Sequence, residues 1–402
     1  MQIFNVGYCL IISCMLFFLS VVLMTPYISG VLLVNATTIY SFILLLTFFA
    51  MIFKRGLSIK AVTLAAMFIA TILVLVLLTQ SQVHFNRYIF QAIGLLLCFI
   101  VAKEYKIINR LTDLLTIFAI LGILCAFIGF FYALFGGQPA YSFPNPDSRL
   151  NFVYLTTFSN AVYGNVIRPA FIYDEPGAFS FVLCFIVILR ELMQRRASVS
   201  LGIMIGGLIT FSLAHIVILV LFIFSKIKFS LKSLIGIMLA SILLLSIFNL
   251  VSNSNEFNFF TARFEINDSG SLSGDNRIGQ IDNFKKIFSW DIFWGGDYQC
   301  HHLQAKRCLE HGDISSSVVT PLYFGGVIQL IVQLITHIFF ILAVYRNKTL
   351  FFPAFAMSLL LLQRPYFSLI GYQIMIYIVL FIMFYLIKYK HVHVSSKYSF
   401  IH

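Results

Sequence analysis

Charge is what this chain has least of. Only 10% of its 402 residues are Asp, Glu, Lys or Arg, where a soluble domain carries about 25%. With 60% hydrophobic residues and a mean hydropathy of +0.95, that scarcity excludes an ordinary water-soluble domain and points to a polytopic membrane protein. Acidic residues are scarcer than basic ones, 15 against 27. No Asp-x-Asp pair occurs, so a metal bound between paired carboxylates is not suggested. The long apolar runs hold almost no ionisable side chains. His215 and His337 are the exceptions, and each reads better as a hydrogen-bonded packing residue than as a proton relay. Ion-coupled transporters usually place carboxylates or arginines inside the membrane, so their absence weighs against that class. The first apolar run lacks a charged n-region and a small-residue cleavage site, which predicts a retained helix rather than a cleaved signal. No internal repeat or low-complexity segment stands out.

The few charges that are present sort by side. Laid between the hydrophobic runs, one set of loops holds 17 of the 27 Lys and Arg and 3 of the 15 Asp and Glu. The other set holds the remaining 10 basic and 12 acidic residues, giving net charges of +14 and −2. Cytoplasmic loops retain Lys and Arg during insertion. The split therefore assigns the first set to the cytoplasm, and it accounts for the basic pI of about 9.4 without a nucleic-acid partner.

A helix needs about 20 apolar residues to cross roughly 30 Å of hydrocarbon. On that measure the chain is all-α, a single membrane-embedded domain over 1–402 with about 12 transmembrane segments and both termini in the cytoplasm. Spans are expected at 8–25, 35–53, 61–79, 88–102, 111–135, 172–190, 231–250, 318–345, 350–362 and 368–387. Two large loops, at about 136–170 and 251–317, face outward. The run 199–225 is anomalous, because Arg195 and Arg196 precede it and Lys226, Lys228 and Lys232 follow it. A single crossing would invert everything downstream. A short re-entrant hairpin pair avoids that, breaking near Thr210-Phe211-Ser212-Leu213-Ala214-His215. Such a break at membrane depth must be buried in protein or line a wet cavity.

Every candidate for chemistry falls in the outer segments. The first loop closes with Arg168-Pro169-Ala170-Phe171-Ile172-Tyr173-Asp174-Glu175-Pro176-Gly177. Pro176 suits the first turn of a helix, and Asp174 or Glu175 then caps its N-terminus or serves a substrate. In the second loop, Arg277 precedes Ile278, Ile281, Phe284, Ile287 and Phe288, whose spacing fits one apolar helical face. Lys285 and Lys286 beside it, and Trp290 and Trp294 after it, suit a helix lying on the outer leaflet. Cys300 and Cys308 form either a disulfide in an oxidising compartment or, with the neighbouring histidines, a zinc site. The disulfide is the better reading because the spacing matches no standard zinc pattern; no metal and no cofactor is expected. His311-Gly312-Asp313 follows. Helix N-termini with Arg168, Arg277 and Arg364 would make an anion site at headgroup depth, suited to a lipid-borne pyrophosphate.

In these residues the chain resembles the O-antigen polymerase (Wzy) and O-antigen ligase superfamily of inner-membrane glycosyltransferases. The likeness rests on the order of segments and on three local patterns. The first is Arg168 with Asp174-Glu175-Pro176-Gly177 leading into a helix, which looks like the polymerase branch. The second is Arg277, Trp290 and Gly295-Gly296, and the third is His311-Gly312-Asp313 before Phe324-Gly325-Gly326. The resemblance implies donor and acceptor oligosaccharides linked to undecaprenyl pyrophosphate in the bilayer, used at the periplasmic face. It implies a catalytic base among His311, Asp313 and Glu175, and pyrophosphate contacts from Arg168 and Arg277. Arg364, Asp174 and Tyr173 complete the candidate substrate site. A polysaccharide chain-length regulator is a further candidate partner. An O-antigen ligase using lipid A-core, or a flippase, stands as the alternative.

Overall fold

The computed structural model describes residues 2–25, 36–55, 82–144, 150–226, 319–364 and 370–389, with single positions between 59 and 70 and between 281 and 293. The described chain is mostly helical. Among the described residues three helices are long and apolar enough to cross a membrane: Tyr105–Leu134, Gly326–Arg346 and Gly371–Lys388. The first carries a stripe of exposed apolar residues, Ile117, Ile120, Leu121, Leu124, Ile128 and Phe131. Their spacing of three and four residues puts them on one helical face, an apolar stripe of the kind that lipid tails cover. The described residues group into two compact units, one within Met1–Ile120, Cys184–Ser200 and Gln280–His402, the other within Leu121–Leu183 and Leu201–Gly279.

The first unit contains α1 (Gln2–Phe17), which runs into a π-turn at Phe18–Val22, then α2 (Ala36–Arg55) and α3 (Gln82–Val101). It also holds the N-terminal part of α4 (Tyr105–Leu134) and the C-terminal part of α5 (Pro176–Leu192). Near the C-terminus come α8 (Thr320–Arg346), α9 (Phe351–Gln363) and α10 (Ile370–Tyr389). Helix α10 lies along α3. Phe99 and Phe381 meet edge-to-face at 5.3 Å, and the Tyr385 hydroxyl donates to the Phe99 carbonyl at 3.1 Å. A side chain at Gly371 would run into Met24, so the missing Cβ is what lets α10 close on the end of the first helix. At positions 281–288, Phe284 is buried against Val319, Leu322 and Tyr323 while Lys285 and Lys286 stay exposed. Of the apolar face read from the sequence, Phe284 is buried and Ile281 partly so, Phe288 is exposed, and Ile278 and Ile287 lie outside the described residues.

The arginines between α5 and the next helix are interlocked rather than dangling in solvent. Arg190 is buried, donating to Ser200 at 3.1 Å, Thr116 at 2.8 Å and the Arg196 carbonyl at 3.2 Å. Arg195 pairs with Asp113 at 2.6 Å. One of the few acidic residues assigned to the cytoplasmic side thus spends its charge on a neighbouring arginine.

The second unit corrects the reading of 136–170 as a plain loop. After α4 the chain forms β1 (Tyr141–Pro144), β2 (Leu150–Tyr154) and β3 (Thr157–Ser159), an antiparallel sheet in the order β1-β2-β3. A two-residue hairpin of β4 (Val162–Tyr163) and β5 (Val166–Ile167) follows. Paired residues share a face, so Tyr154 and Thr157 point together. They meet Gly129 of α4: a Cβ there would strike the Thr157 methyl and come within 2.7 Å of the Tyr154 carbonyl. One turn earlier, the Thr156 hydroxyl donates to the Cys125 carbonyl at 2.6 Å. Cys125 and Gly129 thus form a flat track on which the sheet sits, and Gly122 before them receives the Phe171 and Phe179 rings. Gly129→Val is expected to lower stability by about 1–3 kcal/mol, the usual penalty for overpacking, and to depress the unfolding midpoint in mild detergent. An unchanged midpoint would mean that the sheet does not rest there.

Candidate functional site

The best-defined polar constellation of the second unit is built at a break between two short helices. Helix α6 (Ala197–Gly206) tightens into a 3₁₀ turn at Gly207–Thr210, and α7 (Leu213–Lys226) starts three residues later. Each arm is about 20 Å long at 1.5 Å per residue, short of the roughly 30 Å needed to span. Phe211 takes the left-handed conformation (φ 49°, ψ 40°), which a bulky residue adopts only when its surroundings compel it. The chain then doubles back. The His215 Nε2 lies 2.8 Å from the Met204 carbonyl, whereas a continuous helix would separate residues eleven apart by about 16 Å. A side chain on Gly207 would collide with the His215 ring. The break expected from the charges flanking 199–225 is present inside the expected segment, and the chain turns sharply there.

His215 is fully buried, and its Nδ1 lies 3.2 Å from the Ser180 hydroxyl on α5. Both ring nitrogens are engaged, one by a carbonyl and one by a hydroxyl. That is the packing role read from the sequence.

Breaking a helix orphans carbonyls, and Arg168 meets them. Its Nε and Nη2 donate to the Thr210 carbonyl at 3.3 and 3.2 Å, and Nη2 also donates to the Phe211 carbonyl at 3.1 Å. The side chain is only 8% exposed. Its backbone is fixed as well, because the Arg168 N–H donates to Ala161 at 3.0 Å and Ala170 N–H to Phe158 at 2.8 Å. Arg168 therefore ties the sheet segment to the helix break. The resemblance implies a pyrophosphate contact for Arg168; in the structure three of its hydrogen bonds go to backbone, the kind of task a forked, permanently charged group performs well.

The residues after Arg168 are positioned by the same frame. Phe171 is left-handed (φ 54°), its N–H bonded to the Thr157 hydroxyl at 2.8 Å, and its ring packs on Phe179. Tyr173, expected at the substrate, is fully buried, its ring stacked on Phe179 at 6.1 Å. Asp174 and Glu175 are partly exposed ahead of α5. The Glu175 carbonyl accepts from Ala178 and Phe179 at 3.0 and 3.3 Å, so Glu175 occupies the cap position and Pro176 opens the helix as the sequence implies. In the sheet, burial raises the Tyr154 phenol above its ordinary pKa, keeping it neutral.

Arg364 ends α9 in an extended conformation (φ −139°), its N–H bonded to Leu360 at 2.8 Å and its side chain partly buried. Arg277, Cys300, Cys308, His311 and Asp313 lie outside the described residues. Among the described residues no group of three His, Cys, Asp or Glu converges as a metal site would require.

A polar network that the sequence reading passed over lies in the first unit. Gln91 of α3 donates to the Tyr377 hydroxyl of α10 at 2.7 Å, and Gln329 of α8 donates to Gln91 at 2.6 Å. Gln329, Gln333, Gln91 and Gln373 are all buried. The signal was available as glutamines inside apolar runs, but a search for ionisable groups does not register an uncharged amide. No protein-family model, curated protein or solved structure matches the chain.

Proposed function

We propose that the chain is a polysaccharide polymerase of the bacterial inner membrane, joining undecaprenyl-pyrophosphate-linked repeat units at the periplasmic face. The observation that carries this reading is the charge split, +14 against −2, which assigns the Arg277 and His311 segments to the outer side. Support comes from the order of the Arg168, Asp174-Glu175-Pro176, Arg277 and His311-Gly312-Asp313 motifs, as in the polymerase and ligase superfamily.

In this reading the growing chain on one lipid pyrophosphate is the donor, and a sugar hydroxyl of an incoming repeat is the acceptor. The hydroxyl oxygen attacks the anomeric carbon while a base takes its proton. The bond from that carbon to the phosphate oxygen breaks, and the lipid pyrophosphate leaves with the electron pair. Arg277, with Arg364, neutralises the charge that builds on it. Arg168 acts indirectly, by holding the hairpin and the outer sheet in register. The base is His311, with Asp313 and Glu175 as rivals.

Deleting the gene tests the reading against its neighbours. A polymerase deletion leaves single repeats on the lipid A-core. A ligase deletion strands finished polymer on the carrier lipid, and a flippase deletion traps repeats in the cytoplasm. Either of those last two patterns overturns the proposal. Among His311→Ala, Asp313→Ala and Glu175→Ala, one substitution is expected to lower polymer by about 10²-fold or more at unchanged protein level. If all three leave the ladder intact, the base lies elsewhere.

A further inference from the structure

We propose that Gln91, Gln329, Gln333 and Tyr377 form a neutral docking site for the hydroxyl groups of a sugar carried on an apolar anchor. The inference goes beyond the transfer chemistry and does not depend on it.

The argument starts from hydrogen bonds that are missing. Gln329 is 0% exposed and Gln333 4% exposed, yet the amide oxygen of neither accepts a hydrogen bond within the protein. An unserved buried acceptor is costly, and native proteins rarely retain one without use. Among the buried side-chain atoms without a partner, these two lie one helical turn apart and so on the same face of α8. Gln329 is anchored on that face by its bond to Gln91, which is in turn held by Tyr377. Both oxygens need donors from outside the chain.

The surroundings define which donors fit. The cluster is amide and phenol only, without a carboxylate, lysine or arginine among its members, so neither an anion nor a cation gains from entering. A neutral hydroxyl does. Side chains one turn apart, with Cβ atoms about 5–6 Å from each other, can both be served by hydroxyls of one sugar ring, for the immobilisation of one molecule. The outward face of α8 at the same level is Ile331, Leu334 and Ile335, all exposed, which suits an apolar chain lying alongside. Helix α8 is interrupted close by. Gly326 is non-helical (φ 64°, ψ −166°) three residues before Gln329, a conformation that only glycine adopts without strain. The break opens a fresh set of helix N–H groups beside the amides.

The test uses the full chain in phospholipid nanodiscs with a photoreactive alkyl β-glucoside, its diazirine in the alkyl chain. Labelling is expected on the α8 segment around 326–335 or its neighbours on α3 and α10, displaced by octyl glucoside and not by octanol. Gln333→Leu removes an unserved acceptor without breaking any bond seen to Gln91 or Tyr377. It should lower specific labelling about fivefold, the effect of one neutral hydrogen bond, while the unfolding midpoint holds or rises. Gln329→Leu should lose labelling too, with a lower midpoint because Gln91 is released. Displacement by octanol as effective as by glucoside overturns the proposal, and so does absent labelling, which leaves the amides to water. Native labelling in Gln333→Leu, or a fall in its midpoint, also overturns it. The glycosyl-transfer reading fails separately, on the polymer ladder, which this experiment does not use.

Discussion

Replacing Arg168 with alanine is expected to cost the folded chain about 2–5 kcal/mol and to abolish polymer at the same time. The magnitude follows from what the guanidinium holds. It serves the Thr210 and Phe211 carbonyls through three hydrogen bonds at 3.1–3.3 Å, in a site where it is 8% exposed. Stranding a buried carbonyl costs about 1–3 kcal/mol, and bonds from charged donors lie at the upper end. Lysine should restore little, since a single ammonium cannot reproduce a fork that meets two successive carbonyls. Unfolding of the purified variants, followed beside the polymer ladder, separates two roles. Loss of polymer with native stability would place the guanidinium on the substrate and off the hairpin. Loss of both is the expected result.

Arg277→Ala should behave differently. In the proposed reaction Arg277 meets charge only as the pyrophosphate departs, and such a preorganised donor is worth roughly 10²–10³ in rate. Long chains should therefore collapse to single repeats at an unchanged protein level and unfolding midpoint. Equal loss of stability in Arg277→Ala and Arg168→Ala would give both arginines the same structural task and leave the leaving group without its partner.

These contrasts mark how far the sequence could be read. The helix break was legible because two independent signals agreed on it: basic residues at both ends of 199–225, and arms too short to span. His215 was legible for the same reason, as a lone polar group at the tip of such a turn. The small sheet was not. Its strands are two to five residues long and carry no sustained alternation. The track that receives it, Cys125 and Gly129, looks like ordinary apolar helix until a neighbour settles on it. The hold of Arg168 on the break was not legible because sequence shows a basic residue beside a loop but not the carbonyls that a distant helix break will orphan. Tyr173 reads as a polar aromatic near the motif, and only packing against Phe179 shows that it faces inward. The buried glutamines were passed over because burial and pairing, not charge, make them informative.

The central claim is glycosyl transfer between lipid-linked saccharides, and extension of a lipid-linked repeat by the purified chain tests it most directly. The protein in lipid, given one undecaprenyl-pyrophosphate-linked repeat and no nucleotide sugar, is expected to produce a ladder of longer products. Activity should persist in EDTA and disappear with Arg277→Ala. A well-folded preparation that leaves the repeat at its starting length would contradict the account.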